Sequence, residues 1–152
     1  MVSPWLDFSL RAYAGGNALI ETDYVVSANR LVPDLVRRFL KGTGHGGADP
    51  EVNPLFWQPE ELTGLNRQLV LVGAAEIALQ EGKDWAGLCG KAGIGHKLVV
   101  EWAQLHVYAM GSRWVDPRVR EKTDNLILDW ISNCVRVEKS EVDGQRFRSL
   151  DQ

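Results

Sequence analysis

The chain has 152 residues and a mass of 17.0 kDa, room for one domain around one core. Hydrophobic residues make up 45% and charged residues 24%, a globular composition that excludes disorder, collagen-like repeats and a disulfide scaffold. The net charge of −3 excludes a whole-protein positive field as the sign of a nucleic-acid partner.

In chain order, Met1 to Leu10 lacks a basic stretch before an apolar block, and Asp7 interrupts it, so no secretory signal is expected. Residues 17–31 suit a helix, although Tyr24-Val25-Val26 has strand propensity. Pro33-Asp34 opens a short helix through Leu35, Val36, Phe39 and Leu40, which Gly42 ends. Gly42 to Pro54 is turn-forming and has little to bury, which predicts a mobile loop or lid. Gln58-Pro59-Glu60-Glu61 puts proline and two acids at a helix start, and Leu62, Leu65, Leu69, Val72, Ile77 and Leu79 follow at helical spacing up to Gly82. With Val70, Leu71, Gly73, Ala74 and Ala75 this segment is apolar nearly all round and reads as the central buried helix. The longest apolar run, Leu69 to Ala75, falls far short of the roughly 20 residues of a membrane span. Asp84 caps a short helix to Ala92, Gly93 turns the chain, and a second helix is expected from Gly95 to Met110. Asp116-Pro117 repeats the start signal, and Val119, Thr123, Leu126, Ile127, Trp130 and Cys134 fall on one helical face. The tail alternates around Asp143-Gly144, as a small β-hairpin (136–139 with 146–149) or a frayed end. The fold expected is all-α, a compact single helical domain over residues 1–152 with about five or six helices. Helix should exceed half of the residues, and any sheet should be confined to 20–27 or to the tail after 135.

Cys89 and Cys134 lie in predicted helices and, with no export signal, read as free thiols of a cytoplasmic protein. Six tryptophans are spread from Trp5 to Trp130. They serve core and edge packing, or one or two of them line a partner surface.

Residues 84–106 place the small Cys89 four residues before Gly93, with Ile94, Leu98 or Val99, and Trp102 inward. This spacing resembles a helix-turn-helix, and Ala92-Gly93-Ile94-Gly95 also looks like the Gly-Ile-Gly turn of helix-hairpin-helix modules. The resemblance implies a second helix presenting His96, Lys97, Val100, Glu101 and Gln104 to nucleic acid. In the helix-hairpin-helix form, it implies a Gly93–Gly95 turn whose N–H groups hold a phosphate beside Lys97. Arg30, Arg37, Arg38 and Lys41 form one basic patch, and Arg113, Arg118, Arg120 and Lys122, around Trp114, form another just after the motif.

Catalytic constellations are weak by comparison. His45, His96 and His106 do not have zinc-motif spacing, and Cys89 and Cys134 supply no CxxC pair. Gly42 to Gly47 lacks the Gly-Lys-Ser/Thr ending of a phosphate-binding loop. Gly87-Leu88-Cys89-Gly90 is the GxxG pattern of KH domains without their strands. Arg38 followed by His45 resembles the Arg…His pair of HEPN ribonucleases, but glycines break the helix that carries such a pair. No serine or cysteine has a histidine and an acid at local spacing, although triads form in space. The chain is therefore expected to be a small non-catalytic nucleic-acid-binding protein, not an enzyme and without cofactor or metal. Contact with the phosphate backbone of DNA or RNA would use Gly93, Gly95, His96, Lys97, Gln104, Arg113, Arg118, Arg120, Arg37 and Arg38, with the chain as a subunit of a larger nucleoprotein assembly. The alternative is a protein–protein interaction module (adaptor, inhibitor or assembly subunit). Neither reading involves a membrane.

Overall fold

The computed structural model describes residues 1–13, 18–23, 31–111 and 113–148. The chain divides into two compact units, Met1–Ser112 and Arg113–Gln152. The first holds α1 (Leu19–Thr22), α2 (Leu31–Leu40), β1 (Gln68–Gly73), α3 (Leu79–Lys91) and β2 (His96–Glu101). The second holds α4 (Pro117–Arg148).

β1 and β2 pair in parallel, from Gln68↔His96 to Gly73↔Glu101, with α3 as the connection between them. Val2 bridges Leu71, also in parallel. The Leu71 N–H donates to Met1 O (2.9 Å) and its carbonyl accepts from the Ser3 N–H (2.7 Å), so residues 1–3 lie along the β1 edge that β2 does not use. Glycine at 82 lets α3 lie close on β1, where a Cβ would come within 2.5 Å of Val72 Cγ1. The core beneath α3 consists of Leu62, Val70, Val72, Trp85 and Cys89, with Leu88, Ala92, Ile94 and Leu98 packed against it.

The all-α fold is thus corrected to α/β, and its sheet falls at 68–73 and 96–101, neither in 20–27 nor after 135. Residues 24–27 lie outside the described residues. β1 occupies the middle of the expected central helix. Val70, Leu71 and Val72 are buried on both faces of a covered parallel strand, which reads as an unbroken apolar run. Periodicity alone does not separate such a run from a buried helix. The start signal at Pro59 makes only a 3-10 turn, Pro59–Leu62, with Gln58 and Glu61 forming a capping box. After Gly93 the chain forms β2 in place of the second helix of a helix-turn-helix, through the branched run Leu98-Val99-Val100. Trp102, expected inside, is 84% exposed.

Two other segments are firmer than expected. Asn53 is fully buried, and its Nδ2 donates to Asp7 Oδ1 (2.9 Å) and to Gly47 O (2.8 Å). Gly47 lies so close to residue 8 that a Cβ would stand 2.0 Å from Phe8 O. The second half of the predicted mobile loop is therefore fastened to residues 7–9. In the second unit, α4 starts at Pro117 as expected, but it runs unbroken to Arg148, through 136–139 and 146–148 of the positions assigned to a tail hairpin, while Ser149 lies outside the described residues.

Candidate active site

Adjoining parallel strands end side by side, and in open α/β sheets the carboxyl ends of strands carry the sites. Here two loops meet at that end, residues 74–78 after β1 and 102–107 after β2. The Ala74 N–H donates to Glu101 O (2.9 Å) and the Ala75 N–H to Gln104 O (3.0 Å). Their approach requires glycine at 73, because a Cβ would stand 2.3 Å from Gln104 O and 2.9 Å from Leu105 O.

The first loop buries Glu76, and the second brings His106 to it. His106 Nδ1 lies 3.5 Å from Glu76 Oε2 and 3.9 Å from Asp23 Oδ2. Both carboxylates are fully buried, while the imidazole is partly open. Asp23 is held by the Ile77 N–H (2.8 Å). Glu76 Oε2 accepts from the Ser3 hydroxyl (2.7 Å), and Ser3 Oγ in turn accepts from the Val107 N–H (2.8 Å). Ser3 (φ 43°), Ala103 (φ 55°) and Val107 (φ 53°) all sit in the left-handed region, a strained state for side chains with a Cβ.

Burial pushes Glu76 up to about 7. Burial also lowers His106 below the ordinary imidazole value, against the charge of Asp23, which raises it. Above neutrality the pair is a carboxylate beside a neutral imidazole. With Nδ1–H turned to the carboxylate, Nε2 is the basic nitrogen. Such an arrangement is able to accept a proton at Nε2 and release it again.

Neither Ser3 nor Cys89 fits as the nucleophile. None of the serines stands in a Gly-x-Ser-x-Gly turn. The Ser3 hydroxyl is buried and gives its proton to Glu76 rather than to His106. Cys89 is fully buried, and desolvation raises its thiol. Among the described residues, no group of three or more His, Cys, Asp or Glu is placed to hold a metal, and no helix is long and apolar enough to cross a membrane.

The residues singled out from sequence lie elsewhere. Gly93 makes the turn after α3 at φ 70°, and Gly95 packs on Arg67. His96 and Lys97 are exposed at the start of β2, the end remote from Glu76 and His106. Gln104 is half-buried, and its carbonyl helps to join the two site loops. Arg37 and Arg38 are exposed on α2, with Arg37 paired to Asp34. Arg113, Arg118 and Arg120 belong to the second unit, where Arg120 donates to Val115 O (3.4 Å).

Glu76 and His106 escaped sequence reasoning. The signal that finds them is an acid after one buried strand and a histidine after the next. It becomes visible only when 68–73 and 96–101 are taken as strands.

Comparison with solved structures agrees with this architecture. A hormone-sensitive lipase from a metagenome library superposes with a TM-score of 0.73 at 23% identity, over 88% of this chain and 43% of that one. The hormone-sensitive-lipase homologue EstE7, also from a metagenome library, gives 0.74 at 23% identity, over 89% and 43%. An esterase from the bacterial hormone-sensitive lipase family gives 0.59 at 22% identity, over 80% and 38%. The chain therefore has the fold of part of an α/β hydrolase and spans less than half the length of these neighbours. No family model matches the chain, and no curated protein matches it. The neighbours are esterases and lipases. Their shared fold overturns the expected non-enzymatic nucleic-acid-binding protein.

Proposed function

We propose that the chain supplies the acid–histidine part of a serine-type ester hydrolase site, with a nucleophile carried outside these 152 residues. The observation that carries this reading is His106 Nδ1 facing the buried Glu76 carboxylate across the ends of two adjoining parallel strands. His106 is the general base. Its Nε2 takes the proton of the nucleophile as that group attacks the ester carbonyl and returns it to the departing alcohol. Glu76, ionised, holds the imidazole tautomer and stabilises the imidazolium that forms. Because Glu76 must be charged and His106 neutral, the rate should rise as pH rises through about 7. The esterase and lipase neighbours support an acyl ester as the substrate class.

The test is hydrolysis of p-nitrophenyl butyrate by the chain alone and by the chain joined to the part of EstE7 that it does not cover. The chain alone should not exceed the background of a free imidazole. The joined protein should hydrolyse the ester and lose about 10³–10⁴-fold with His106→Ala. A folded joined protein that is inactive, or whose activity is indifferent to His106→Ala, contradicts the reading.

A further inference from the structure

We infer that Ser3 is a positioning residue of this site, whose hydroxyl locks the loop bearing His106 to the carboxylate of Glu76. The inference rests on the reading of Glu76 and His106 as an acid–base pair and adds to it a residue that acts through Glu76 and the His106 loop.

The contacts close a ring. The Val107 N–H donates to Ser3 Oγ (2.8 Å), and the Ser3 hydroxyl donates to Glu76 Oε2 (2.7 Å). The same Oε2 faces His106 Nδ1 (3.5 Å), and the peptide bond from His106 to Val107 completes the circuit. A hydroxyl has one proton. Since that proton goes to Glu76, the oxygen's lone pairs are available to the Val107 amide, and the direction of both bonds is set. The anchor of the ring is the sheet, because the Ser3 N–H is bonded to Leu71 O (2.7 Å) on the edge of β1.

Backbone conformation gives a second, independent reason. Ser3 and Val107, the two residues joined by this bond, both hold positive φ, 43° and 53°. For the β-branched Val107 this is a genuine outlier. Such strain persists only where the surroundings over-determine it. The ring does so here, by fixing the residue after the histidine to the residue that holds the acid. Asp23, the other carboxylate facing His106, is tied instead to the Ile77 amide and lies outside the ring.

The experiment uses the 152-residue chain labelled with nitrogen-15, as wild type, Ser3→Ala, Ser3→Gly and Glu76→Gln. The readouts are the low-field Nδ1 proton of His106, its exchange with water, and the carboxyl titration of Glu76. Ser3→Ala removes the hydroxyl and keeps the strain, whereas Ser3→Gly removes the hydroxyl and relieves it. Both should speed exchange of the Nδ1 proton by about tenfold, the loss of roughly one hydrogen bond. Both should also move the Glu76 titration upward by about one pH unit, because its carboxylate loses a donor. Wild-type behaviour in both variants overturns the inference and leaves the acid–base pair intact. A wild-type signal restored by Ser3→Gly alone also overturns it, since strain and not the hydroxyl would then be the link. A wild-type chain whose Nδ1 proton is indifferent to Glu76→Gln refutes the underlying pair instead.

Discussion

Glu76 and Glu81 flank the start of α3, and burial pushes both up to about 7. What they touch separates them. Glu81 Oε2 accepts two backbone amides, Leu6 N–H (2.6 Å) and Asp7 N–H (3.0 Å), and so fastens the N-terminal segment to the first turn of α3. Glu76 also accepts from backbone, at Gly73 and Val107, but its Oε2 in addition meets two side chains, the Ser3 hydroxyl and the His106 imidazole. A buried carboxylate with a raised pKa is therefore not by itself a site. The imidazole, delivered from the end of the next strand, makes the difference between a fastening and the proposed acid–base pair.

The largest effect that sharpens this contrast is on activity. In the joined, hydrolysis-competent protein, Glu76→Gln should cost about 10³–10⁴-fold in kcat, because the imidazole loses its orienting charge. Glu81→Gln should leave kcat close to that of the parent. Equal losses in ester hydrolysis assays would erase the distinction.

The pH dependence of stability treats the two alike. Each has a folded pKa raised from 4.5 to about 7, so the folded chain binds more protons than the unfolded one. Their favourable contribution is complete below about 4.5 and is lost as pH rises through about 7, about 3 kcal/mol for each. Urea unfolding at a series of pH values should show this fall, and either Glu→Gln change should remove one share of it.

Gly73→Ala probes the junction of the two loops. Its Cβ would meet Gln104 O at 2.3 Å, so the His106 loop must move. The expected cost is about 2 kcal/mol by urea denaturation, with a changed His106 environment. The smallest effect is Trp102→Ala. At 84% exposure it should change stability by less than about 0.5 kcal/mol, whereas Trp85→Ala, in the core at 2%, should cost about 3–5 kcal/mol.

Local signals made some elements legible and tertiary context hid others. α4 was readable because Asp116-Pro117 starts it and one face repeats at helical spacing. Cys89, Ile94 and Leu98 were readable as inward-facing, since small and apolar residues pack under α3 whichever structure follows Gly93. β1 was not readable. Pro59 announced a helix that ends within one turn, and Leu69 to Gly73, buried on both faces, has no alternation to betray a strand. The error carried forward, because with 68–73 and 96–101 read as helices, Glu76 and His106 had no common strand end at which to meet. Lys97 and the glycines of the turn looked functional because they resemble a phosphate-binding turn, but they lie at the other end of β2 from the pair. Neither Glu76 nor His106 belongs to a local motif. Their relation exists only across the parallel register of β1 and β2.

The most direct measurement is the tautomer of the His106 ring, read from its nitrogen-15 shifts at roughly pH 8, above the titration of Glu76. Three proteins suffice: wild type, Glu76→Gln and Glu81→Gln. The account predicts the Nδ1–H tautomer in wild type and in Glu81→Gln, and its loss in Glu76→Gln. An Nε2–H tautomer in wild type, or one that does not respond to Glu76→Gln, would contradict the assignment of Glu76 and His106 as the acid and base of the site.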